Sequence, residues 1–191
     1  MKGAVFDIET TGLDAVGSGT LLCVVIKPLE RRHIVFRADE MRCTPGHEKK
    51  LVQAANEELA KYDLLVGHYI TRFDLPWLRS RALFFGLPEP ARPFVYDTCA
   101  AFGRLGYKTV PNHFGRPSRN LGHVADFFGI EQEKTGIYPR EWWQSVWGDV
   151  KTRKKAMDDI VNHCIKDVRM NERAYWLLMR ADTSGFVRRA K

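Results

Sequence analysis

The pattern of apolar and polar positions predicts strands first, then strands and helices in alternation. Residues 3–8 open on the apolar run Gly3-Ala4-Val5-Phe6, which reads as a buried strand. Leu21-Leu22-Cys23-Val24-Val25-Ile26 and His33-Ile34-Val35-Phe36 are further apolar runs, punctuated by Gly17-Ser18-Gly19 and Pro28, so an antiparallel meander is predicted. From His47 to Tyr62 the period becomes helical, with Leu51, Ala54, Ala55, Leu59 and Tyr62 on one face. Leu64-Leu65-Val66-Gly67 is a short buried strand. Leu75 to Phe85 is a helix with Pro76 in its first turn, and Pro93-Phe94-Val95-Tyr96-Asp97 is another strand end. Asn120 is a candidate cap for a short helix from Leu121 to Phe128. The last helix runs from about Lys151 to Arg180, its stripe made by Ala156, Ile160, Cys164, Val168 and then Tyr175 or Leu178. With no linker or repeat, this order predicts one α/β domain with a mixed sheet. Its expected bounds are 1–185, with a basic, disordered C-terminal end at 186–191.

Composition narrows the class. The 191 residues are 45% hydrophobic and 28% charged, the balance of a soluble globular protein. A chain of this length buries ~70% of its unfolded surface. No apolar run approaches the ~20 residues that span a bilayer, so no membrane partner is expected. The first strand begins too near Met1 to leave room for a signal peptide. Cys23, Cys43, Cys99 and Cys164 form no Cys-x-x-Cys pair, which argues against a zinc site or a disulfide framework and fits a reducing cytoplasm. The formal net charge of +7 favours polyanions and salt-sensitive nucleic-acid binding.

The candidate chemistry lies in acids. Asp7 and Glu9 are two apart at the end of the first strand, so their side chains project to the same face. A pair of strand-end acids is commonly just solvated. Here the pair follows an apolar strand and precedes a Thr10-Thr11-Gly12 turn, which points to a cation between them. Oxygen ligands of this kind suit Mg²⁺ or Mn²⁺. Asp74 stands at a helix start just beyond a buried strand, where an acid is either a simple N-cap or a further site acid. His163 and Asp167 are four apart and share a face of the last helix, next to the apolar Cys164 and Ile165. Asp158 and Asp159, in a stretch with Lys154 and Lys155, read as solvent-facing.

Taken together, these segments resemble the DEDD superfamily of 3′→5′ exonucleases, which has a ribonuclease H-like fold. Phe6-Asp7-Ile8-Glu9-Thr10-Thr11-Gly12-Leu13 matches its first motif, Phe73-Asp74 followed by Leu78 its second, and His163 with Asp167 its third. Asp63-Leu64-Leu65-Val66-Gly67 leading into Arg72-Phe73-Asp74 looks like the proofreading domain of family-B DNA polymerases. So do Tyr96-Asp97-Thr98 and Asn120 to Ile130. The resemblance implies a ribonuclease H-like mixed central sheet flanked by helices. It also implies that Asp7, Glu9, Asp74 and Asp167 hold two divalent ions, Mg²⁺ or Mn²⁺, ~3.5–4 Å apart, one on the attacking water and one on the leaving 3′ oxygen. His163 is implied as general base or water-orienting group, a role that suits histidine near neutral pH. The chain departs from the pattern twice. It places a histidine four before the last acid, where one branch has tyrosine, and Asn162 five before it, where the other branch has histidine. Tyr69 also replaces the usual asparagine, and a tyrosine there would stack on a base or sugar.

Between Asp97 and Asp126 no acid occurs, and the stretch carries Arg104, Lys108, Arg116 and Arg119 with His113 and His123. Rich in Gly, Pro and Asn, it reads as a loop. With Tyr107 and Phe114 interleaved, it suits single-stranded nucleic acid, whose bases stack at ~1–3 kcal/mol each. By the family pattern, Thr10, Thr11 and Leu13 lie beside the terminal nucleotide. Leu13 either wedges against the last base or packs in the core, and Phe73 either stacks or supports the core. Trp142, Trp143 and Trp147 read as a packing stripe at helical spacing. The leading expectation is a metal-dependent 3′→5′ exonuclease on DNA, in replication or repair. It stands alone or acts in trans with a partner protein, since no polymerase segment follows Lys191. The alternatives are an exoribonuclease trimming short RNA and a non-catalytic ribonuclease H-like binding module. The presence of all four acids argues against the latter.

Overall fold

The computed structural model of the chain describes residues 1–88, 93–105, 118–131, 136–181 and 188–189. The strands are β1 (Gly3–Thr10), β2 (Leu21–Pro28), β3 (Ile34–Arg37), β4 (Leu64–Gly67), β5 (Phe94–Asp97) and the two-residue β6 (Arg188–Arg189). The helices are α1 (Lys49–Leu59), α2 (Asp74–Phe84), α3 (Thr98–Arg104), α4 (Leu121–Phe128), α5 (Pro139–Trp147) and α6 (Val150–Ala181). The sheet order is β3-β2-β1-β4-β5-β6. β1 to β3 form the predicted antiparallel meander, and β1, β4 and β5 run parallel. The sheet is therefore mixed, with helices on both faces, as in ribonuclease H-like α/β folds.

β1 is buried on both faces. Ala4, Phe6 and Ile8 enter one core with Leu51, Val52 and Ala55 of α1 and Leu75, Trp77 and Leu78 of α2. Val5 enters the other with Met157, Ile160, Val161, Cys164 and Val168 of α6. Each of the larger aliphatic and Phe side chains among these contributes ~1.5–3 kcal/mol by burial. A one-residue slip of β1 would exchange these sets and drive acids into a core, so the register is fixed. Because side chains alternate, Asp7 and Glu9 continue the column begun by Val5 and stand on the α6 face. The register against β2 shifts between Glu9 and Thr10, a bulge of the kind that re-aims a strand beside a site.

α2 is held by a buried ion pair. Arg81 Nη2 lies 2.6 Å from Glu48 Oε1, and both side chains are almost fully enclosed. Arg81 also donates to the Ala15 carbonyl at 3.3 Å. A pair so deeply buried contributes orientation more than net stability. It ties α2, and with it Asp74 in its first turn, to the segment leading into α1.

Asn120 caps α4 as expected, accepting from His123 N at 2.8 Å. Three expectations need correction. The stretch after Asp97 begins as helix α3, because the Asp97 side chain caps it by accepting from Ala100 N. It is not loop from residue 98. The 186–191 end is not disordered throughout, since the Arg188–Arg189 backbone pairs antiparallel with Phe94 and Val95 of β5. The tryptophans of α5 do not form one packing stripe: Trp142 packs against the α6 core, while Trp143 and Trp147 are 62% and 63% exposed. Lys108 and Arg116, with Tyr107, His113 and Phe114, lie outside the described residues.

Candidate active site

The carboxyl ends of the three parallel strands meet at one edge of the sheet, the usual place for a site in such sheets. β1 delivers Asp7 and Glu9 there, and the turn after β4 leads into α2 and Asp74. α6 crosses the same edge with His163, Cys164 and Asp167.

Three of the four acids are oriented by a specific donor. Asp74 is buried, and its Oδ1 accepts from Ile8 N at 3.1 Å, between the two β1 acids. Trp142 Nε1 of α5 donates to Glu9 Oε2 at 3.3 Å. The Cys164 thiol lies 3.3 Å from Asp7 Oδ2 and 3.5 Å from the Asp7 carbonyl oxygen. His163 Nε2 stands 3.8 Å from Glu9 Oε1 and 3.6 Å from Asp167 Oδ2. Both separations exceed a hydrogen bond, so Nε2 is committed to neither carboxylate. His163 Nδ1 is buried with no hydrogen-bond partner among the described residues. One turn beyond Asp167 on α6, Asn171 meets the Thr98 hydroxyl at 2.7 Å, which fixes the helix against α3.

Crowding sets the electrostatics. Burial first, then Asp74, Glu9 and Asp167, holds the Asp7 carboxyl well above the usual carboxylate range. Glu9 is pushed up to about 8 by burial and then by Asp167, against the Trp142 hydrogen bond. Asp74 rises to about 7, mainly by burial, despite the backbone hydrogen bonds it accepts. Among the described residues no lysine or arginine pairs with Asp7, Glu9 or Asp74. Asp7, Glu9 and Cys164 offer ligand atoms all within 4.8 Å of one another. Buried like charges without a protein cation, on oxygen donors, fit a divalent metal ion.

A stability prediction follows. Between the ordinary carboxylate values and the raised ones, the folded protein holds protons that the unfolded chain has lost, so stability falls as pH rises through this window. The metal-free melting temperature should drop from about pH 5 to about pH 8, and Mn²⁺ should raise it most at the upper end. Calorimetric scans across that range check this. A metal-free melting temperature that climbs with pH, or a Mn²⁺ effect greatest in acid, would contradict it.

The remaining residues named from sequence fall into two groups. Thr10 Oγ1 donates to the Gly12 carbonyl at 2.7 Å and Thr11 Oγ1 accepts from Thr20 N at 2.9 Å, so both hydroxyls shape the turn after β1. That turn leaves Leu13 87% exposed, which removes the core alternative for it. Tyr69 is half-exposed, and Phe73 is partly buried against the α2 core. Arg104 and Arg119 are exposed. The Arg119 carbonyl meets His68 Nε2 at 2.8 Å, and its side chain lies over Gly103, where a Cβ would collide with it. Sequence reasoning missed three contributors: Trp142 on Glu9, Cys164 on Asp7, and Asp97, which accepts from the backbone after β4. Only the burial of Cys164 had a local signal, its place in the α6 stripe.

Comparison with known proteins agrees with this architecture. A family model described as the RNase H superfamily matches residues 4–179. Among solved structures, the family B DNA polymerase from the hyperthermophilic archaeon Pyrobaculum calidifontis is similar in fold, with a TM-score of 0.68 at 19% identity. The match covers 93% of this chain and 24% of that polymerase, so the chain spans about a quarter of the polymerase's length. Among curated proteins no sequence matches.

Proposed function

The chain belongs to the RNase H superfamily, and from that premise we propose that it is a metal-dependent 3′→5′ exonuclease acting on DNA. The observation that carries this reading is the convergence of Asp7, Glu9, Asp74, Asp167 and His163 at one sheet edge. Nucleases of this superfamily generally use divalent metals. Here Asp7, Glu9, Asp74 and Asp167 would hold two ions, Mg²⁺ or Mn²⁺. When bound, such ions supply Lewis acidity to an attacking water and to the leaving 3′ oxygen.

The chain's own groups do the rest. His163 takes the proton of the water. Ile8 N and Trp142 Nε1 keep Asp74 and Glu9 in their rotamers. Leu13 and Tyr69 are exposed apolar groups on the turns leaving β1 and β4, suited to the last bases of a strand. Phe73 backs the Asp74 turn from below. Arg104 and Arg119 supply phosphate contacts, together with Lys108 and Arg116 in the adjoining segment. The domain would serve replication or repair, alone or beside a partner protein.

Strands of one sequence, labelled at the 3′ or the 5′ end, test the reading directly. The set should include single-stranded and duplex DNA and the matching RNA, with Mg²⁺ or Mn²⁺. A 3′ label should be released first as a mononucleotide, with DNA degraded faster than RNA. Faster loss of RNA would make the protein an exoribonuclease, and internal cuts without end dependence would refute the exonuclease assignment. No cleavage, with no metal bound in calorimetry, would leave a binding module.

A further inference from the structure

The turn between β4 and α2 is built around an unusual residue. Tyr69 adopts φ = 64°, a left-handed conformation that a residue bearing a Cβ seldom takes. Glycine would adopt it without steric cost. Packing covers only part of the tyrosine, since the residue is 47% exposed. The Tyr69 carbonyl accepts from Arg72 N and Phe73 N, both at 3.0 Å, so this residue also starts the turn that carries Asp74 to the site.

Asp97 holds the conformation. It ends β5 opposite Gly67, the last residue of β4, and therefore lies beside the turn. Its Oδ1 accepts from Tyr69 N at 3.2 Å and from Ala100 N at 3.1 Å. Its Oδ2 accepts from Thr71 N at 3.2 Å and from the Thr71 hydroxyl at 2.5 Å. One buried carboxylate thus grips both sides of the strained residue and anchors the grip to α3. A carboxylate accepts several such donors where an amide side chain offers one acceptor oxygen. Gly67 tightens the same turn, because a Cβ there would collide with Ile70.

Strain of this kind persists only where the surroundings enforce it, and it accompanies a side chain held for use. We propose that Asp97 is a positioning residue that fixes Tyr69 as an aromatic stacking post, and that this post selects an unpaired strand at the site. The ligand class is a base of single-stranded nucleic acid, since an exposed ring receives an unpaired base on its π-face. The proposal rests on the nuclease reading for its biological setting, but its test does not need turnover.

Binding of a fluorescent single-stranded oligodeoxynucleotide is measured by anisotropy on the full chain, for wild type, Tyr69→Gly, Tyr69→Phe, Asp97→Asn and the Asp97→Asn/Tyr69→Gly double variant. Tyr69→Gly removes the ring and relieves the backbone. It should melt no lower than wild type yet bind ~5–150-fold more weakly, the stacking contribution of one base. Tyr69→Phe should restore binding. Asp97→Asn should weaken binding in the same direction, and the double variant should be no worse than Tyr69→Gly alone, because both changes act through one ring. If Asp97→Asn does not fold, Thr71→Ala loosens the same clamp from the other side. Where the protein cleaves, Tyr69→Gly should raise KM more than it lowers kcat. Wild-type binding by Tyr69→Gly would overturn the stacking post, and additive losses in the double variant would overturn the role of Asp97. Absence of cleavage in every variant would count against the nuclease reading alone, since binding is scored separately.

Discussion

Asp7→Asn should abolish Mg²⁺-dependent release of a 3′ label while the protein folds and, without metal, melts at or above the wild-type temperature. The reason is the position of the carboxylate. It is a crowded acid, with burial and three acidic neighbours all opposing its charge. Amide for carboxylate keeps the shape, so the β1 register and the Val5 and Phe6 packing are untouched. The substitution removes a like charge from the cluster, which relieves repulsion in the metal-free state. It also removes the anionic oxygen that a divalent ion needs. Loss of function with gain of stability is the signature of a residue kept for chemistry. Cleavage assays and calorimetry on the same preparation check both halves. Retained Mg²⁺-dependent cleavage would refute the site, and a collapse of the melting temperature would assign Asp7 to the core.

His163→Ala should slow turnover by ~10²–10⁴ under saturating Mn²⁺ and leave strand binding in place. Without the imidazole the attacking water has no proton acceptor, so the loss should fall on kcat and not on KM. Saturating metal matters, because Glu9, at about 8 without an ion, is otherwise largely protonated near neutral pH. With the ion bound that carboxylate stays charged, and the loss reports the imidazole alone. The geometry suits a general base, since Nε2 faces Glu9 and Asp167 without being bonded to either. A rate near wild type would remove His163 from the chemistry.

Much of the architecture was legible because it is local. β1 announces itself by an apolar run ending in Asp7 and Glu9, and α6 by a stripe from Ala156 to Leu178, most of which the structure buries in one core. Asn120 signals its cap by residue type. What escaped depends on chain segments far apart. The Trp142 hydrogen bond spans 133 residues to Glu9, and nothing near either residue predicts it. Asp97 looked like a plain strand end. Its grip on Tyr69 and Thr71 exists only once β4 and β5 lie in parallel register. α3 has seven residues, too short to display a periodic face, and its start is set by the Asp97 cap. The exposure of Trp143 and Trp147 ran against the ordinary behaviour of indoles on a helix, and the structure offers no packing reason for it.

His163, Asp167 and Asn171 ride on a single unbroken helix of 32 residues, at intervals of four. On such a rod an extra or missing residue turns everything beyond it by ~100° and shifts it by ~1.5 Å along the axis. One deletion before His163 would swing the candidate base, the last acid and the Thr98 anchor away from β1 together. The coding sequence for α6 can therefore tolerate changed letters far better than a changed number of codons. Insertions and deletions should be borne in the segments between elements and not within α6.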